Sequence, residues 1–198
     1  MVMRDRYIYI VLTKTKTAVA KIIRFISKKT YSHASLAFDE MLSDMYSFSR
    51  DYSRIPIPAH FNIENINTAV FGRYDNIPCE VYRIPVTEEQ LVETQELIEH
   101  FLSNRKHYRY DLAALLLMGL NIPYQGKDKF VCSVWVGFVL GKSGIEHNIK
   151  KHPSLVEPED LRNVSGAELI YEGNLKEYQD HISSKKDNSF TFLKEAIA

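Results

Sequence analysis

The sequence predicts an α+β domain in which an antiparallel sheet packs against a central buried helix carrying a cysteine. Three observations lead there. Short aromatic and β-branched runs recur between stretches of turn residues, as strands of one sheet do. Residues 131–142 (VCSVWVGFVLGK) are apolar nearly all round, which places their helix inside a core. The chain has 198 residues and is 45% hydrophobic, enough for one domain to build a core without disulfides or metals.

Taken in order, residues 7–12 (YIYIVL) read as a buried strand. An amphipathic helix is expected over residues 17–29, with Val19, Ile22, Ile23 and Ile26 on one face and Lys21, Arg24 and Lys28 on the other. A solvated face is the simplest reading of those cations, and an acidic partner or a membrane surface is the alternative. Residues 33–39 and 45–49 form a hairpin across the polar turn 40–44, and the Pro-rich stretch 55–58 is an irregular connection. Residues 68–73 and 80–86 read as two more strands around turn residues 75–78.

Thr87 is a natural N-cap, Gln90 completes a capping box, and Val86 and Leu91 are spaced as a hydrophobic staple. The helix they open carries Leu91, Ile98, Phe101 and Leu102 on one face and runs to about Arg105. Residues 112–120 predict a buried helix ended by Asn121-Ile122-Pro123, and the helix over 131–142 closes at Gly144 as a C-cap. Residues 168–172 give a last strand. The chain after His181 reads as a frayed tail, so residues 1–180 make a single domain and 181–198 a tail.

Charge and composition exclude several functions. Lys and Arg number 25 against 25 Asp and Glu, which leaves no cationic surplus for nucleic acid. Two cysteines make neither a disulfide framework nor a zinc set. The N-terminal apolar run is too short for a secretory signal, and the longest apolar run, 112–120, is about half a bilayer span. The expectation is an unprocessed, cytoplasmic domain with no integral membrane association. Phosphate-binding glycine loops and HExxH or DxDxDG patterns are missing, so no cofactor and no metal is expected.

Candidate chemistry rests on two cysteines and seven histidines. Cys132 opens the apolar helix, where the helix N-terminus would stabilise a thiolate; the plainer reading is a packed, inert thiol. Cys79, beside Pro78 at a strand start, has no helix to activate it and reads as packing. His33 begins a core-type strand with Ser35 and Ala37 on the same face, small residues that leave room for a substrate. The other histidines fall in loops, polar helix segments or the tail.

Residues 31–39 (YSHASLAFD), 45–48 (MYSF) and 130–133 (FVCS), in that order, resemble the circularly permuted papain-like amidases of the NlpC type, including YiiX/YycO-like proteins and, more distantly, lecithin:retinol acyltransferase. In that family the histidine strand precedes the cysteine helix, as His33 precedes Cys132 here. The resemblance implies a permuted papain-like fold and a cysteine peptidase or amidase working through an acyl-enzyme. Cys132 would be the nucleophile, His33 the base, and the Cys132 backbone N–H an oxyanion donor. The orienting residue in the family comes from the strand after the histidine, where the register points to Ser47, which cannot supply a charge. Tyr31, Ser35, Ser133 and Trp135 fall at substrate-contacting positions, although Val134-Trp135 is bulkier and less polar than the family's usual Gln-Phe. The substrate is a small molecule, peptide or lipid; cell-wall-derived peptides fit the amidase branch and lipid acyl transfer the other. A catalytically weak binding module of the same fold is the alternative from another class.

Overall fold

The computed structural model describes residues 6–14, 30–50, 59–67 and 71–195. The helix expected over 17–29 and the Pro-rich connection at 55–58 lie outside them. Among the described residues one antiparallel sheet holds six strands: β1 (Arg6–Thr13), β2 (His33–Ala37), β3 (Met45–Arg50), β4 (Ala59–Glu64), β5 (Pro78–Val86) and β8 (Glu168–Asn174). Their order is β4-β3-β2-β1-β5-β8, so the most apolar strand, β1, sits inside the sheet between β2 and β5. Two residues each of β6 (Arg109–Tyr110) and β7 (Lys129–Phe130) make a short parallel pair.

Strand alternation divides the core. Ile8, Ile10, Leu12, Ala34, Leu36, Phe48 and Phe61 face one layer, with Phe101 of helix α1 (Glu88–Ser103) and Trp135, Val136, Val139 and Leu140 of helix α3 (Cys132–Lys142). Tyr9, Val11, Ala37 and Val81 face the other, where Phe71 and Tyr178 cover them. Tyr178 opens helix α4, which runs Tyr178–Glu195, so the segment expected to fray after His181 is helical. Its first turn is tied down: Tyr178 Oη donates to the Glu40 carbonyl and the Gln179 amide to the Met41 carbonyl, both at 2.8 Å.

The capping box forms as its spacing requires. Gln90 N donates to Thr87 Oγ1 and Thr87 N to Gln90 Oε1, an arrangement worth about 1 kcal/mol. Helix α3 ends in a Schellman turn: Gly144 has φ of 65° and Ile145 N donates to the Leu140 carbonyl at 2.9 Å.

Two expected elements differ. Residues 71–73 form a 3-10 turn rather than a strand, and 68–70 lie outside the described residues. A Cβ on Gly72 would sit 2.6 Å from the Asn67 carbonyl oxygen, so the chain folds back too tightly there for a ladder. Helix α2 (Leu112–Gly119) forms, but only Ala114 and Leu115 are buried. Among the described residues no helix is long and apolar enough to cross a membrane.

Candidate active site

The site grows out of a split in the sheet. The β2–β3 ladder pairs Leu36 with Tyr46 and Ala37 with Met45, and no further. Toward the start of β2 this pairing stops, and the N-terminus of α3 reaches the β2 backbone there. Ser47, buried on β3, donates from Oγ to the Ala34 carbonyl at 2.6 Å. The Ala34 backbone N–H in turn meets the Cys132 sulfur. The strand opening therefore replaces two ladder bonds with a hydroxyl and a thiol.

Helix α3 presents Cys132 at its first helical position. Its N-cap is Val131, which has no side-chain acceptor, and the first helical bond runs from Trp135 N to Val131 O at 2.9 Å. The amides of Cys132, Ser133 and Val134 thus precede the ladder and no cap consumes them. The Ser133 amide is directed at the sulfur. An N-terminus without a capping side chain supplies positive potential where a thiolate or an oxyanion would sit.

His33 comes from the other side of the split. Its Nε2 lies 3.0 and 2.9 Å from the two carboxylate oxygens of Glu64, which leaves Nδ1 as the ring nitrogen for the Cys132 sulfur. The His33 and Glu64 side chains are 12% and 7% exposed, so solvent screens this pair little. Ser35 donates from Oγ to Glu64 Oε2 at 2.6 Å and lies 3.2 Å from His33 Nε2. Phe71 packs its ring 6.2 Å from the imidazole.

Electrostatics follow from these contacts. Burial alone would lower the imidazole pKa, but the Glu64 carboxylate and then the Cys132 sulfur outweigh it and raise His33 to about 10. Burial would raise Glu64, yet the His33 cation and the Ser35 hydroxyl hold it below the usual carboxylate range. Burial would also raise Cys132; His33 and the Ala34 and Ser133 amides reverse it, and the thiol is lowered. Sulfur, imidazole and carboxylate form one buried chain, in which each neighbour favours the charged form of the next.

The orienting position is thus a correction. Ser47 does not touch His33; Glu64, from the far end of β4, does. Ser47 lies beside β2 by register, but its hydroxyl is drawn to the carbonyl freed by the split strands. The whole of β4 went unread in the sequence, although residues 59–64 (AHFNIE) alternate apolar with polar, the signal of a half-buried strand.

The expected substrate contacts also move. Trp135 is 0% exposed and sits among Phe48, Phe61 and Phe101, with ring centroids 4.8–6.2 Å away; it belongs to the core. Ser133 is buried and donates to the Val156 carbonyl at 2.6 Å, which ties α3 to the chain after it. Tyr31 turns inward as well. Burial, then its bond to Glu80, raises its hydroxyl pKa, and the Arg162 guanidinium stacks 5.5 Å from its ring. Arg162 holds Glu80 through two bonds of 2.6 and 2.8 Å, and Glu159 accepts from the Thr30 and Tyr31 amides. These contacts fix the segment that leads into His33. Ser35 alone of the four meets the His33–Glu64 pair.

Thr13 stands across the β1–β2 ladder from His33, fully buried, and its hydroxyl has no hydrogen-bond partner among the described residues. Cys132 is 1% exposed. An apolar groove of about 380 Å³ runs along the opposite face of α3, past Val134, Phe138 and Gly141, and does not include the thiol. Among the described residues no group of three or more His, Cys, Asp or Glu side chains is arranged to hold a metal ion. No protein-family model matches the chain, and no curated protein matches it.

Proposed function

We propose that this protein is a cysteine hydrolase of the permuted papain-like type, acting on an amide or ester. The observation that carries the reading is the buried Cys132–His33–Glu64 chain at an uncapped helix N-terminus. Such a chain favours thiolate at sulfur and imidazolium at the ring, the charge state a nucleophilic thiol needs. The order of histidine strand before cysteine helix, and an antiparallel sheet against the cysteine helix, agree with the family resemblance.

In the reaction, the Cys132 thiolate forms a bond to the carbonyl carbon, and the carbonyl π pair moves onto oxygen. The Cys132 amide, together with its neighbours at the helix start, faces that oxyanion. As the C–N or C–O bond breaks, His33 gives its proton to the leaving group and an S-acyl Cys132 remains. His33, now neutral, takes a proton from water as the water oxygen attacks the thioester, and Cys132 leaves as thiolate. Glu64 stays ionised and holds the imidazole in place; its role is orientation and charge, as for the acid of a catalytic triad.

The 1% exposure of Cys132 favours a second reading, a binding module that keeps the same buried network without turnover. The two separate by trapping. The protein is mixed with activated esters and peptide amides, quenched in acid, and its Cys132 peptide weighed by mass spectrometry. An acyl adduct on Cys132 in the parent, and none in Cys132→Ser, is the expected result. Turnover that survives in Cys132→Ser would contradict the hydrolase reading, and a reactive Cys132 that no amide or ester acylates would favour the binding module.

A further inference from the structure

The α2 run, expected to be buried, is where the molecule departs most from its own hydrophobic pattern. Leu116 and Leu120, one turn apart, are 53% and 67% exposed, and Ile122 and Tyr124 after them 47% and 43%. The chain reverses directly after Leu120. Asn121 takes φ of 57°, Ile122 N donates to the Leu117 carbonyl and Asn121 N to the Met118 carbonyl, both at 2.9 Å. The root is fixed by Asp111, which accepts from Gly126 N at 2.6 Å and donates from its own amide to the Phe130 carbonyl at 3.0 Å.

The same root is cationic. Arg105, Lys106, Arg109, Lys127 and Lys129 are exposed, Asp111 is buried, and Asp128 is occupied by His107 at 3.0 Å. Among the described residues Lys127 and Lys129 make no ion pair. The chain as a whole balances 25 cations with 25 anions, so this excess is local.

We propose that the α2 tip docks on an anionic membrane surface, with Leu116, Leu120 and Ile122 entering the interface, Tyr124 at its polar boundary and the lysines on lipid headgroups. Aliphatic side chains on a protruding turn, an aromatic hydroxyl beside them and cations behind are what such an interface accepts. A second copy of the chain is a poorer occupant, since a stable interface uses roughly 20–30 residues a side and this tip offers four apolar side chains. The surface is independent of the thiol chemistry.

The test is co-sedimentation with vesicles of equal phosphatidylcholine and phosphatidylserine, and with phosphatidylcholine alone. The parent should bind the mixed vesicles and not the neutral ones, and lose binding as salt rises. Leu120→Glu with Ile122→Glu, and separately Lys127→Glu with Lys129→Glu, should each weaken binding at least about thirtyfold. Tyr124→Trp gives a second readout in an otherwise native tip: its emission should shift to the blue on mixed vesicles, against the buried Trp135 as a constant background. Absent binding, equal binding to both vesicles, full binding by both paired variants, or an unshifted Tyr124→Trp emission would each overturn the proposal. So would a parent dimer that Leu120→Glu with Ile122→Glu turns into a monomer while no vesicle binding is seen.

Discussion

Cys79 and Cys132 are each 1% exposed, and their thiols are driven in opposite directions. Cys79 lies on β5 between Thr13 and Gly173; burial pushes it up to about 12, and one backbone hydrogen bond at Gly173 does not offset that. Cys132 suffers the same burial and is lowered, because a cation and two amides face its sulfur. Burial therefore sets a thiol's default, and neighbours decide whether it becomes a nucleophile. The difference lies in position: one cysteine sits in a strand paired on both sides, where amides pair with carbonyls, and the other at a helix start, where they do not.

The largest expected effect separates the two directly. Cys132→Ser should lower turnover of any substrate by at least about a thousandfold, while Cys79→Ala should leave turnover unchanged; steady-state rates on the trapped ester or amide measure both. Next is Glu64→Gln, which removes the charge that holds His33 protonated. It should cost about 3 kcal/mol of stability at neutral pH by urea unfolding, as for breaking a buried pair.

The parent's own pH dependence follows from the same groups. His33, raised to about 10, contributes fully below the free imidazole value of about 6.5, and the contribution is lost as pH rises through about 10. Glu64, lowered, contributes above the ordinary carboxylate range and is lost as acid takes pH through its depressed value. Up to the free-thiol value of about 8.5 the lowered Cys132 thiol, which binds fewer protons folded than unfolded, opposes the loss from His33. Stability should therefore hold across neutral pH and fall on both sides, and Glu64→Gln should flatten the alkaline limb. Smaller still, Ser47→Ala should cost about 1 kcal/mol by loss of its bond to Ala34 and leave the titration of His33 unchanged in proton NMR. Cys79→Ala completes the series at about 1 kcal/mol for the sulfur's lost packing, read from thermal unfolding.

Local patterns were the legible part of this molecule. The hairpin of β2 and β3, strand β5, the Thr87 capping box and the Gly144 turn each depend on neighbours in sequence, and each formed where spacing places it. His33 and Cys132 were legible one at a time, from a strand start and a helix start. Their shared acid was not, because Glu64 reaches His33 across β3, and which strand lies two places away is a fact of topology. Trp135 differs from expectation for a related reason: three residues on, it shares the face of Cys132 but lies about one turn deeper along the helix, inside the aromatic core. The run 112–120 shows the opposite failure. Its composition reads as core, yet only Ala114 and Leu115 are buried, and Leu116 and Leu120 face solvent.

Activation of Cys132 by His33 and Glu64 is read most directly from the alkylation rate of each cysteine by iodoacetamide from pH 5 to 9, resolved by peptide mass spectrometry. In the native parent, Cys132 should react at a rate nearly independent of pH across neutrality, well below the free-thiol midpoint of about 8.5, while Cys79 stays unmodified until the fold is denatured. In Glu64→Gln the Cys132 profile should move toward that ordinary midpoint. Cys132 that titrates like a free thiol, stays as inert as Cys79, or keeps the parent profile in Glu64→Gln would show that His33 and Glu64 do not activate it.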